Sequence, residues 1–89
     1  MKLRIAVLGA GHFGRFHALK AAKGARTVLV AVHDADSARA ALVAAEAGAS
    51  ALGLDEAIAA ADAVLVAAPT RFHYELGQAV LLAGRHLFM

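Results

Sequence analysis

Polar and apolar positions change period several times along the chain, and each change marks an element. Leu3–Leu8 is apolar except for Arg4, the pattern of a parallel strand covered on both faces. From His12 to Lys23 the period becomes helical. Gly14, Ala18, Ala21 and Ala25 fall at one-face spacing there, and such small residues let a helix lie close to a sheet. Thr27–His33 reads as a second strand. Asp36 or Ser37 then caps a helix that runs to about Ala47 and ends at Gly48. Further on, the spacing predicts a short third strand over Ser50–Leu54 and a short helix over Glu56–Ala61 capped by Asp55. An uncharged, central strand over Ala63–Ala67 follows, and Pro69 stops it. A last helix presents Phe72, Leu76, Val80 and Ala83 on one face, Gly84 closes it, and His86–Met89 begins a fifth strand.

Strand and helix alternate throughout, which predicts an α/β fold with a doubly wound parallel sheet and right-handed crossovers. In such sheets ligands sit at the carboxyl ends of the strands, near the switch in strand order.

Composition narrows the class. The chain has 89 residues, enough for one domain, and 61% of them are apolar. Alanine supplies 25 of these and larger side chains 29, so core material is adequate. Charged residues make up only 18%, which excludes a disordered chain. Nine bases stand against seven acids, and the bases are scattered singly from Lys2 to Arg85. No basic stripe exists, so no nucleic-acid partner is expected. The absence of cysteine excludes a disulfide framework, a thiolate metal site and a thiol nucleophile.

The segment Met1–Leu8 mimics a short signal peptide but runs into Gly9-Ala10-Gly11-His12 without a small-residue cleavage box. A buried strand is the better reading. No run approaches the ~18 apolar residues of a membrane span, so a soluble protein with no membrane partner is expected, and the lack of cysteine is compatible with a reducing cytoplasm. His12 and His17 are five residues apart and so point to different helix faces. With no H-E-x-x-H and no carboxylate cluster, no metal is expected. Ser37 and Ser50 are the only serines and neither stands in a G-x-S-x-G context.

One motif carries chemistry. Gly9-Ala10-Gly11-His12-Phe13-Gly14 fits G-x-G-x-x-G, follows an apolar strand, opens a helix and precedes an acidic strand end. Gly9 allows a tight turn, Gly11 the close approach of a pyrophosphate, and Gly14 a helix–strand contact. The N–H groups around His12 and Phe13 then point at phosphate, aided by the positive end of the helix dipole. Asp34, twenty residues after Gly14, can accept hydrogen bonds from both adenosine ribose hydroxyls and repels a 2′-phosphate. NAD is therefore expected over NADP. After the fourth strand, Ala67-Ala68-Pro69-Thr70-Arg71-Phe72-His73 places polar groups at the same sheet edge, where Thr70 and His73 could reach the nicotinamide half.

Together these residues resemble the amino-terminal half of the Gfo/Idh/MocA oxidoreductases, which include glucose–fructose oxidoreductase and inositol dehydrogenase. The matching stretches are Ile5–Gly14, Asp34–Arg39, Asp62–Thr70 with His73, and Gly84–Met89. The resemblance implies a Rossmann-type dinucleotide-binding domain over residues 1–89, truncated in its fifth strand, with the substrate domain absent. It implies a cofactor site of Gly9, Ala10, Gly11, His12, Phe13, Gly14, Asp34, Arg39, Ala68, Pro69, Thr70 and His73, with no catalytic residue in this chain. His73 matches the family's cofactor-side histidine. The activity implied for the complete enzyme is hydride transfer between NAD and a hydroxyl carbon of a sugar, cyclitol or sugar nucleotide. A homo-oligomer is expected, because the apolar edge at His86–Met89 invites self-association. The alternative expectation is a free-standing NAD-binding regulatory module.

Overall fold

The computed structural model describes residues Met1–Met89. Its elements are β1 (Leu3–Leu8), α1 (His12–Lys23), β2 (Thr27–His33), α2 (Ser37–Ala47), β3 (Ser50–Ala51), α3 (Leu54–Ala60), β4 (Ala63–Val66), α4 (His73–Leu82) and β5 (His86–Phe88), with a 3₁₀ turn at Thr70–Phe72. All strand pairs are parallel and the sheet order is β3-β2-β1-β4-β5. The order runs outward from β1 to β3, then restarts on the other side of β1 with β4. The carboxyl ends of β1 and β4 therefore flank the switch point, where a crevice opens in folds of this type.

The sheet is covered on both faces. Ala18 of α1 and Ala40, Val43 and Ala44 of α2 bury against Val7, Leu29 and Val32. Ala57 and Ile58 of α3, Ala61 just after it and Val80 of α4 bury against Ala6, Leu8, Ala31, Val64 and Val66. Leu8, Val7, Val32, Val64 and Val80 are fully buried, each contributing about 1.5–3 kcal/mol of transfer free energy. Alternation along β1 sends Ala6 and Leu8 to one face and Val7 to the other, as the pleat requires. Along β2 the alternation slips. Ile5 pairs with Leu29 but Ala6 pairs with Ala31, so Val30 is an extra residue on β2. That bulge puts Leu29 and Val32 in the same cluster although they are three apart.

The fold class and the element order agree with the sequence reading; several boundaries move. The expected strand Ser50–Leu54 is only Ser50–Ala51. Leu52 N–H still donates to the Val32 carbonyl at 3.1 Å, but Gly53 then serves as N-cap and the chain turns into α3. Asp55 is thus not the cap; it lies with Glu56 in the first turn, where a carboxylate favours the helix dipole. At α2 the choice falls on Asp36, whose side chain accepts from Ala38 and Arg39 N–H at 3.1 and 3.2 Å. Ala25 is not on the α1 face, because the helix stops at Lys23 with Gly24 as C-cap. Phe72 belongs to the 3₁₀ turn, is 41% exposed and lies under the Arg71 guanidinium. Ala83 is the exposed C-cap of α4, whose buried residues are Gly77 and Val80.

At the amino end of the sheet, charge ties β1 to β4. Asp62 Oδ2 accepts from Arg4 N–H at 2.9 Å and from Arg4 Nε at 3.2 Å, and Oδ1 accepts from Arg4 Nη2 at 2.8 Å. These hydrogen bonds, with the nearby guanidinium charge, hold the Asp62 carboxyl down to about 2. Arg85 donates to the Ile58 and Ala59 carbonyls at the end of α3, which satisfies acceptors the helix leaves open. On the outer surface Arg15 of α1 and Glu46 of α2 form a bidentate pair. It lowers the Glu46 carboxyl below the usual carboxylate range and raises the Arg15 guanidinium.

Candidate functional site

The chain leaves β1 through the glycine loop. Gly9 has φ +111°, a conformation a side chain would strain, and its N–H donates to the His33 carbonyl at 2.7 Å. Space is as restrictive as conformation there: a Cβ on Gly9 would lie 2.7 Å from Ala68 N. A Cβ on Gly14 would lie 1.8 Å from the Gly9 carbonyl oxygen. The close contact expected at Gly14 is therefore between α1 and the loop's own first glycine. Gly11 differs from both. It is the N-cap of α1 in extended backbone, and a Cβ there would meet nothing within 4 Å.

The start of α1 carries no side-chain cap. Arg15 N–H is the first to be returned to the loop, donating to the Gly11 carbonyl at 2.9 Å. The N–H groups of Gly11, His12 and Phe13 have no acceptor in the protein. They sit at the positive end of the helix, so the fold leaves a concentrated donor set beside open space.

That space is a cleft of about 590 Å³ across the carboxyl ends of β1 and β4. Ten of the twelve residues expected at a cofactor site line it: Gly9, Gly11, His12, Phe13, Asp34, Arg39, Ala68, Pro69, Thr70 and His73. Ala10 and Gly14 do not. Ala10 is buried and gives its N–H to Asp34, while Gly14 is buried under the Gly9 carbonyl.

Asp34, just past β2, is held from two sides. Its Oδ2 accepts from Ala10 N–H at 2.7 Å and its Oδ1 from Asp36 N–H at 2.8 Å. His73, the first residue of α4, donates from Nε2 to the Ala68 carbonyl at 2.8 Å. The ring is thereby fixed over the loop that follows β4, and its Nδ1 has no protein partner.

Four further linings come from tertiary placement: Leu65 and Val66 from the end of β4, Ala67 just past it, and Met89. His17 is the fifth, which the five-residue spacing from His12 had set aside. His17 stands four residues after Phe13, one turn down the same helix face, and that spacing was the usable signal. His12 reaches the cleft from the helix start, so the cleft wraps round the end of α1.

A cleft with unpartnered backbone donors, an acid at the end of β2 and open space at Gly11 suits a dinucleotide. The groups present fit it on their own geometry. Comparison with known proteins agrees with the sequence resemblance. The model of an oxidoreductase family with an NAD-binding Rossmann fold, GFO_IDH_MocA, matches residues 3–89. UDP-N-acetylglucosamine 3-dehydrogenase of Acidithiobacillus ferrooxidans is 41% identical over 85 residues, covering 94% of this chain and 26% of the relative. Its solved structure superposes with a TM-score of 0.91 over 98% of this chain and 29% of the other. Inositol 2-dehydrogenase of Rhizobium meliloti is 38% identical over 90 residues, 99% of this chain and 27% of the relative. GenD2 from gentamicin A biosynthesis, solved in complex with NAD, is 34% identical with a TM-score of 0.91, covering 97% of this chain and 26% of that one. The chain thus spans little more than a quarter of the length of these relatives. Because the family match takes in all five strands and the whole glycine loop, this chain belongs to the Gfo/Idh/MocA oxidoreductases, and the part of them it represents is the NAD-binding Rossmann domain.

Proposed function

We propose that this cleft binds NAD(H) through Gly9, Ala10, Gly11, His12, Phe13, Gly14, Asp34, Arg39, Ala68, Pro69, Thr70 and His73. The carrying observation is the free volume at Gly11 beside the unpartnered N–H groups of Gly11, His12 and Phe13. Those donors take the pyrophosphate, with no side chain between it and the backbone. Gly9 and Gly14 shape the loop; Ala10 supplies the N–H that ties it to Asp34. Asp34 takes the adenosine ribose hydroxyls, and Arg39 also lines the cleft. Ala68, Pro69, Thr70 and His73 line the part after β4, where the nicotinamide half would lie. When bound, NAD supplies the hydride-accepting carbon.

The whole protein, on this reading, is an NAD-dependent dehydrogenase acting on a hydroxyl of a sugar, cyclitol or sugar nucleotide. The relatives named for UDP-N-acetylglucosamine and inositol support that substrate class. Residues 1–89 form its cofactor domain, and the groups that bind substrate and accept the hydroxyl proton lie outside them. The purified 89-residue chain should therefore turn over no polyol or sugar nucleotide; turnover would refute the division of labour.

Calorimetric titration of NAD and NADP into the chain tests the site. NAD should bind more tightly, because a 2′-phosphate would face the Asp34 carboxylate. Equal affinities would remove Asp34 from the ribose site. Absence of NAD binding would overturn the reading as a whole.

A further inference from the structure

The two hydrogen bonds that Asp34 already makes point to a role beyond meeting a ribose. We infer that Asp34 is a positioning residue for the glycine loop, latching the β1–α1 loop to the β2–α2 turn before any nucleotide arrives. Its two oxygens are divided between two chain segments: Oδ2 holds Ala10 N–H at 2.7 Å, and Oδ1 holds Asp36 N–H at 2.8 Å. Ala10 lies between the two glycines of the loop that differ most, Gly9 at positive φ and open Gly11. Its N–H is buried, with no other acceptor in the protein. A buried donor left unpaired is costly, so removing the carboxylate frees the loop from the conformation that aims its neighbouring N–H groups into the cleft.

A carboxylate offers about four acceptor positions, and the latch uses two of them. Two stay open for two ribose hydroxyls, so one side chain can hold loop and ribose together. A 2′-phosphate would drive the carboxylate away and release Ala10 at the same time. Discrimination against NADP thereby includes loss of the loop's geometry as well as charge repulsion. This last consequence rests on the NAD-binding reading; the latch itself does not.

The sign of an anion-binding change separates the latch from a ribose contact. Inorganic pyrophosphate has no ribose, and deleting a nearby negative charge should by Coulomb's law tighten its binding. If Asp34 positions the loop, Asp34→Ala should instead weaken pyrophosphate binding by about threefold or more. Amide hydrogen exchange without nucleotide decides the latch directly. Ala10 N–H should exchange at least about tenfold faster in Asp34→Ala, while Val7 and Leu8 in β1 keep their wild-type rates. Should Asp34→Ala fail to fold, Asp34→Asn keeps one acceptor oxygen and should release only one of the two amides, Ala10 or Asp36. Unchanged exchange of both amides in a folded variant would overturn the inference, as would pyrophosphate binding that tightens or stays equal. A wild-type chain that binds neither NAD nor pyrophosphate would sink the proposed function, and the exchange result would still decide the latch.

Discussion

At the amino end of the sheet, Arg4 and Asp62 spend their hydrogen-bonding capacity on each other. Three donors from Arg4 reach one carboxylate, Asp62 N–H returns to the Arg4 carbonyl at 2.9 Å, and His86 N–H reaches the Asp62 carbonyl at 3.1 Å. At the carboxyl end the opposite holds: the N–H groups of Gly11, His12 and Phe13 have no acceptor, and Asp34 keeps acceptor positions in reserve. Both ends join the same strands β1 and β4. Their difference is what a closed, structural end and an open, binding end look like in one sheet. Polar groups satisfied internally contribute to stability, whereas those left over beside open space are available to a ligand.

The comparison breaks most severely at Gly14. It lies at the open end, yet a Cβ there would collide with the Gly9 carbonyl at 1.8 Å, so Gly14→Ala should destabilise the fold by about 3–5 kcal/mol. Whole-domain stability is about 5–15 kcal/mol and this chain is small. A large drop in the urea midpoint is therefore expected. A near-native midpoint would mean that the α1–loop contact is loose.

Gly11→Val should produce the converse result. Its backbone is extended and its surroundings are open, so the fold should survive with about 1 kcal/mol or less lost at the helix cap while calorimetry finds no NAD binding. Unchanged NAD affinity in the folded variant would make the loop structural only. Gly14 and Gly11 thus separate fold from binding within one motif.

The smallest effect belongs to the closed end. The Asp62 carboxyl is held down to about 2, below its ordinary 3.8. A depressed folded-state value means the pair stabilises the chain above that ordinary range and ceases to as pH falls through about 2. Solvent surrounds the pair, so the contribution is screened. The thermal midpoint of wild type should fall more steeply between about pH 4 and pH 2 than that of Asp62→Asn. Parallel profiles would show the pair to be indifferent to stability.

The sequence was most legible where one residue type has one physical reason to be present. Gly9 takes the positive φ that its tight turn needs, and Asp36, one of the two caps the pattern offered, holds the start of α2, while the close approach at Gly14 is to the loop glycine and not to a strand. Short elements were read less well. Ser50–Ala51 pairs with only two residues of β2, too few for a period-2 pattern to announce its end. Phe72 resembled the first residue of a helical face, but the 3₁₀ turn after Pro69 rotates it outward.

Sequence alone determined the alternation of strand and helix, the parallel class of the sheet, and the glycine loop with its acid twenty residues on. These follow from periodicity and backbone sterics, which act over a few residues and are written locally. Tertiary structure decided the rest. The extra residue at Val30 exists only in relation to Ile5 and Ala6 across the pair. The arrival of His17 and Met89 at one cleft, and the latch from Asp34 to Ala10, depend on contacts between segments far apart in the chain. Such contacts are set by how the helices seat on the sheet, and no local pattern encodes that seating.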